Sequence, residues 1–176
     1  MKTIPYAAQT RVETPLGPLT LAATARGLAL AWFDGQAHRS AEVDAPQRPD
    51  DPHLRLAARE FEAYWLDPAR PFTVALDARG TAFQQAVWNA LRALCAGRLA
   101  TYGEIARRIG RPTAVRAVGA AIGRNPISII VPCHRVVGGD GSLTGYAGGL
   151  DRKRSLLERE GALAPARRGG RTAAPT

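Results

Sequence analysis

The chain has 176 residues, 45% of them hydrophobic and 22% charged, the balance of a globular protein with room for one ordinary domain or two small lobes. It carries 24 Lys and Arg against 15 Asp and Glu, a formal charge of +9. No apolar run approaches a membrane span, the first ten residues lack the apolar stretch of a secretory signal, and two cysteines are too few for a disulfide framework. A cytoplasmic protein with no membrane partner and no metal is expected. The charge is segregated: residues 1–80 hold nine Lys and Arg against ten Asp and Glu, and residues 81–176 hold fifteen against five. All but two of the cations are arginines, which a coding bias would explain, but bias does not explain the segregation. A basic half of this kind is the footprint of a surface that meets phosphates, so nucleic acid is the first partner to consider.

In chain order, residues 19–23 and 28–33 read as short strands around turns at Thr14-Pro15-Leu16-Gly17-Pro18 and Arg26-Gly27, a β-meander. The polar stretch 35–52, with Pro46, Pro49 and Pro52, reads as a loop. Leu54, Ala57, Ala58, Phe61 and Trp65 then make one face of a helix that Asp67-Pro68 ends, and residues 72–76 are a further candidate strand. This lobe shows no obvious chemistry. A second lobe opens at Gly80-Thr81, where Thr81 and Gln84 make a capping box ahead of the stripe Phe83, Val87, Ala90, Leu91 and Leu94. Cys95 continues that stripe and reads as a small core hydrophobe. Residues 102–109 and 113–122, around Gly110, have the proportions of a helix-turn-helix. The apolar run 127–131, Pro132-Cys133-His134-Arg135, a glycine-rich loop over 138–149 and a last helix over 152–160 follow. The expected fold class is α+β: an N-terminal lobe (1–79) of antiparallel sheet and helix, then a mainly helical lobe (80–163). A basic tail (164–176) reads as disordered.

Projected at 100° per residue, the helix from Thr113 turns Val115, Val118, Gly119 and Ile122 to one side and Thr113, Arg116, Ala117 and Ala120 to the other. One arginine among small residues is poor equipment for reading base edges in a major groove. Such a face suits close backbone approach, in a narrow groove or against phosphates, with Arg116 free to enter the base stack. Cys133 sits between a rigid turn and two potentially cationic neighbours, an activating setting for a thiol. Adjacent side chains diverge, so its proton would reach His134 through a water relay or a local turn, with a third group orienting the histidine. Glu160, at the end of the last helix, is the candidate for that group, and Glu158 is the competitor if the helix phase differs.

The string from Asn125 to Val137, centred on Pro132-Cys133-His134-Arg135, resembles the active-site segment of the O6-alkylguanine-DNA alkyltransferases. The likeness extends over residues 81–161 through Phe83-Gln84, Val87-Trp88, Thr101-Tyr102-Gly103-Glu104, Arg116-Ala117-Val118-Gly119, Gly145-Tyr146-Ala147-Gly148-Gly149 and Leu156-Leu157 with Glu160. It is looser in the N-terminal lobe. The resemblance implies direct DNA repair, an irreversible single-turnover transfer of an alkyl group from O6-alkylguanine, and from O4-alkylthymine, to Cys133, with no cofactor. It implies that His134 acts as base through water, that Glu160 orients it and that Asn125 braces the turn before the site. Tyr102 and Arg116 would rotate the phosphate and fill the gap left by a nucleotide flipped through the minor groove, with Thr113, Ala117, Ala120 and Arg124 on the same DNA face. Backbone carbonyls at Cys133 and Val136 would read the guanine amino group, and Tyr146 and Ala147 would wall the pocket and bond O6, with Arg135 also among the pocket residues. The implied partner is double-stranded DNA carrying O6-alkylguanine, bound with little sequence preference by a monomer and open to cooperative binding.

Three rival readings bear on the same residues. Alkyltransferase-like proteins recognise lesions without accepting the alkyl group, but they replace the cysteine that stands here at 133. A sequence-specific transcription factor would want a richer outer helix face. A Cys/His hydrolase would need its base in direct contact with the thiol.

Overall fold

A computed structural model describes residues 6–37 and 43–164, so the tail read as disordered lies outside the described residues beyond Ala164. Three antiparallel strands open the chain in the order β1 (Ala8–Val12), β2 (Leu19–Thr24), β3 (Gly27–Phe33). The first was not legible in the sequence, because Gln9, Thr10 and Arg11 give an edge strand with no apolar alternation. All six residues of β2 are buried, as a central strand covered on both faces requires. The far edge of β3 is bonded by the second lobe: Ala31 N donates to Pro126 O and Ser128 N to Ala31 O, both at 2.9 Å. That contact fixes where the segment leading to Cys133 begins.

Residues 72–76 do not form the expected strand. Their end runs past β3 as a single bridge between Leu28 and Leu76, so close that a Cβ on Gly27 would lie 2.4 Å from Ala75 O. The first helix, α1 (Pro52–Leu66), starts where Asp51 accepts from His53 N and Leu54 N and where Pro52, needing no partner for a missing N–H, sits in the first turn. It buries Leu54, Ala57, Phe61 and Tyr64. The expected face included Trp65 in place of Tyr64. The structure leaves Trp65 half-buried and turns the tyrosine inward, for a reason that the site makes plain below.

In the second lobe, α2 (Ala82–Arg92) carries the complete Thr81/Gln84 capping box, and its Trp88 Nε1 donates to Ala121 O at 2.9 Å. The helix stops at Arg92, so Cys95 falls in the following turn, where Arg98 N bonds Cys95 O. Cys95 is exposed, not a core residue. Next come α3 (Tyr102–Arg108), capped by Thr101 and Glu104, and α4 (Val115–Gly123), with Gly110 at φ 69° in the turn between them. Two short parallel strands, β4 (Ala100–Thr101) and β5 (Val136–Val137), lie either side of the cysteine segment in sequence, and α5 (Leu150–Arg159) closes the lobe. The fold is therefore α+β, with an antiparallel sheet and helix in the first half and helices in the second. No helix among the described residues is long and apolar enough to cross a membrane.

Candidate functional site

The run from Asn125 to Pro132 is neither helix nor strand, yet nearly all of it is buried. Its conformation is held by Asn125 Oδ1, which accepts from Ile127 N at 2.9 Å, and by Val131 N, which donates to Ile127 O at 3.0 Å. Inside that turn Ile129 has φ 72°, a left-handed conformation costing a β-branched residue about 1–3 kcal/mol. The turn brings Asn125 onto the cysteine: its Nδ2 donates to Val131 O at 2.7 Å and to Cys133 Sγ at 3.0 Å. Cys133 is 5% exposed. Burial pushes its thiol up from the ordinary range, against the opposing pull of the Asn125 hydrogen bond and the Lys153 charge.

The activation expected from its two cationic neighbours is therefore corrected. Cys133, His134 and Arg135 make one 3-10 turn, in which successive side chains point about a third of a revolution apart. His134 and Arg135 turn to Glu160, which caps the end of α5. His134 Nε2 lies 2.8 Å from Glu160 Oε1, and Arg135 donates through Nε to Oε2 and through Nη2 to Oε1, both at 2.9 Å. Tyr64, on α1, donates its hydroxyl to Oε1 at 2.7 Å. Glu158, the competitor, lies beside Arg154 at 3.9 Å and is not bonded to the histidine.

Burial alone would raise the Glu160 carboxyl, but the hydrogen bonds and charges of His134 and Arg135 outweigh it and hold it at about 2. A carboxylate only accepts, so the proton of the neutral imidazole sits on Nε2 and the lone pair on Nδ1. That Nδ1 is buried and has no hydrogen-bond partner among the described residues. Burial lowers the His134 pKa despite the nearby carboxylate, which keeps the ring neutral with its Nδ1 lone pair available.

Cys133 opens into a cleft of about 440 Å³ walled by Tyr102, Gly119, Ile122, Tyr146 and Ala147. Two sequence-derived pocket residues do not line it. Arg135 is committed to Glu160 and to the carbonyl of Leu94, and it faces a separate cleft of about 340 Å³ beside Tyr64 and Cys95. Val136 is buried in β5, and its carbonyl accepts from Lys153 Nζ at 2.5 Å. The loop forming the cleft wall is tied down by Lys153 Nζ to Thr144 O at 2.6 Å and by Ala37 N to Ala147 O at 2.8 Å, and Tyr102 Oη reaches Thr144 O at 3.4 Å. Among the described residues no group of three His, Cys, Asp or Glu could hold a metal ion.

Beside the cleft lies the outer face of α4. Arg116, Ala117 and Ala120 are exposed on it, Arg124 is exposed at its C-cap, and Val118, Ala121 and Ile122 are buried. Thr113 is exposed too, in the turn before the helix rather than within it. Val115, expected inward, is 39% exposed: the buried positions fall at 118, 121 and 122, while Gly119 faces the Tyr102 ring and the cleft.

Comparison with known proteins places this arrangement. Residues 8–78 match the ribonuclease-like domain of 6-O-methylguanine DNA methyltransferase, and residues 82–162 match its DNA binding domain. A methylated-DNA–protein-cysteine methyltransferase of Methanosarcina acetivorans is 48% identical over 149 residues, 85% of this chain and 95% of that protein. The chain belongs to the 6-O-methylguanine DNA methyltransferase family. A methylated-DNA–protein-cysteine methyltransferase of Mycobacterium tuberculosis is 47% identical over 155 residues, 88% of this chain and 93% of that one. The crystal structure of Mycobacterium tuberculosis OGT in complex with DNA superposes with a TM-score of 0.80 at 45% identity, covering 91% of this chain and 96% of that one.

Within this family member, two residues that contact the site went unnoticed in the sequence. Tyr64 is hidden in an amphipathic stripe, and nothing in its local pattern signals a polar contact 96 positions away. Lys153 did leave a signal. In a chain whose cations are otherwise arginine except for Lys2, a lysine at 153 marks a place where a compact ammonium fits and a guanidinium does not.

Proposed function

We propose that this chain repairs alkylated DNA directly, moving an alkyl group from O6-alkylguanine to Cys133 in a single irreversible turnover. The observation that carries the reading is a thiol opening into a base-sized cleft, with a neutral histidine beside it whose Nε2 is held by a buried carboxylate. Family membership supports it. The thiol proton passes through a bridging water to His134 Nδ1, the thiolate attacks the alkyl carbon, the carbon–oxygen bond of the lesion breaks, and the guanine leaves with a proton replacing the alkyl group. A raised thiol pKa suits this order, because the thiolate forms when substrate is in place. The product is a thioether that nothing in the site can cleave, so each molecule acts once.

A cysteine only 5% exposed cannot reach an atom stacked inside a duplex, so the base must be flipped into the cleft, at a few kcal/mol of unstacking. We assign entry to the minor groove, with Thr113, Ala117 and Ala120 allowing close approach, Arg124 on phosphate, and Arg116 with Tyr102 managing the vacated space and the rotated phosphate. The amides at the start of α4 carry no side-chain cap, which suits a phosphate there. Tyr146 and Ala147 are assigned to the O6 side of the base, and O4-alkylthymine is assigned as a second substrate. A monomer in the cytoplasm, binding with little sequence preference and with no cofactor, completes the reading.

The test is to incubate the protein with a duplex carrying one O6-methylguanine and measure intact mass, then map peptides, with an O4-methylthymine duplex in parallel. One methyl on Cys133, saturating at one per molecule and absent from Cys133→Ala, is expected. Tight lesion binding without mass gain would replace repair by recognition alone, and a mark on Cys95 would move the nucleophile.

A further inference from the structure

We infer that Tyr64, from the N-terminal lobe, is a positioning residue of the alkyl-transfer relay: its hydroxyl holds Glu160 in the orientation that sets the tautomer and ring plane of His134. The inference rests on the assignment of Cys133 and His134 made under the proposed function.

Glu160 has a fully buried side chain, so no bulk water competes for its oxygens. Arg135 grips both oxygens and sets the plane of the carboxylate. Tyr64 and His134 then meet on the same oxygen, Oε1, at 2.7 and 2.8 Å. Whatever moves Oε1 moves the acceptor that decides which imidazole nitrogen carries the proton. Tyr64 is well placed to prevent that movement. It is 1% exposed, and the rings of Trp65 and Phe72 stand 5.1 and 5.8 Å from its own. Burial and the adjacent carboxylate push its phenol far above the ordinary range, so it acts only as a donor. If packing were all that was required, phenylalanine would fill this position without bringing a buried hydroxyl.

The geometry also gives the first lobe a part in the chemistry. Glu160, His134 and Arg135 all come from the second lobe, and Tyr64 reaches them from α1 across a separation of 96 residues. The groups facing His134 and Glu160 are Tyr64 from α1, Arg135 from the 3-10 turn, Tyr146 from the glycine-rich loop with its ring 6.5 Å from that of His134, Lys153 from α5, and Cys133 itself. Replacing the hydroxyl of Tyr64 changes one of these and leaves the others in place.

The experiment uses Tyr64→Phe and Glu160→Gln in the full chain. Methyl transfer from an O6-methylguanine duplex is timed from about pH 5 to pH 9, and the ring nitrogens of His134 are followed by 15N chemical shift. With one donor removed, Glu160 holds an imidazolium more strongly, so the acid limb of the Tyr64→Phe rate profile should move to higher pH. The rate near neutrality should fall about ten-fold, with the Nε2 and Nδ1 shifts drawing together as the imidazolium fraction rises. A rate within two-fold of the parent, with an unmoved limb and unmoved shifts, overturns the role of Tyr64. If Glu160→Gln also transfers at the parental rate, the relay itself is wrong. A slow Glu160→Gln beside an unaffected Tyr64→Phe removes Tyr64 alone.

Discussion

Lys153 is a fully buried lysine in a chain that otherwise uses arginine at every cationic position but Lys2. Its ammonium bridges the carbonyls of Val136, on the strand after the cysteine turn, and Thr144, in the loop that walls the cleft. Burial lowers its pKa to about 8, with the neighbouring Cys133 pulling the other way, and the same charge lowers the cost of a thiolate at Cys133. Lys153→Met keeps much of the volume but strands the Val136 carbonyl in the interior, and unsatisfied buried acceptors cost about 1–3 kcal/mol each. Urea unfolding should show a loss of about 2–4 kcal/mol, and alkylation of Cys133 by iodoacetamide near pH 8 should slow several-fold as the thiol pKa rises further. Unchanged alkylation with reduced stability would make Lys153 a structural strut with no electrical effect on the thiol.

On the scale of elements, α4 presents one exposed arginine among Ala117, Ala120 and the preceding Thr113. If Arg116 fills the space of a flipped nucleotide, Arg116→Ala should slow transfer from an O6-methylguanine duplex about ten-fold, the equivalent of part of an unstacking cost, and leave reaction with free O6-benzylguanine within about two-fold. Equal losses in the two assays would rule out that role. The helices were legible in the sequence because their signals are local: the Thr81/Gln84 box marks a start, Asp67-Pro68 marks a stop, and apolar spacing marks faces. Long-range contacts decided what was not legible. The segment 72–76 has strand composition but meets β3 at one bridge, Val115 lies off the core because the short helix buries 118, 121 and 122, and Cys95 falls beyond the end of α2. In the site, the sequence pointed to Glu160 from its place at a helix end, but it offered no view of Tyr64, whose partner lies in the other lobe.

For the molecule as a whole, the buried titratable groups around Cys133 and Glu160 set how stability responds to pH. Glu160 titrates at about 2 in the folded chain against an ordinary value of 4.5, so its contribution is fully present above pH 4.5 and is lost as pH falls towards 2. That interval corresponds to about 3 kcal/mol for an ideally coupled group. His134 adds to the acid loss from a higher starting point: its folded pKa lies below 6.5, so below that pH the unfolded chain takes a proton that the buried ring resists. On the alkaline side, Cys133 and Tyr64 have folded values raised above 9 and 10, and the unfolded chain ionises first, so stability falls there too. Lys153 opposes that decline between about 8 and 10.5, because the unfolded chain holds its proton longer. Denaturant unfolding measured against pH should therefore give a clear fall below about 6.5, a plateau to about 8 and, above that, only a shallow change while Lys153 offsets the ionisation of Cys133. Glu160→Gln lowers the plateau, since it leaves Arg135 without its counter-charge, but it also removes the carboxyl that must be protonated in acid. Its stability should fall less steeply than the parent's between about pH 5 and pH 2.5. Parallel acid slopes for the two proteins would mean that the buried carboxylate joining the lobes does not govern acid unfolding, and that surface carboxyls do.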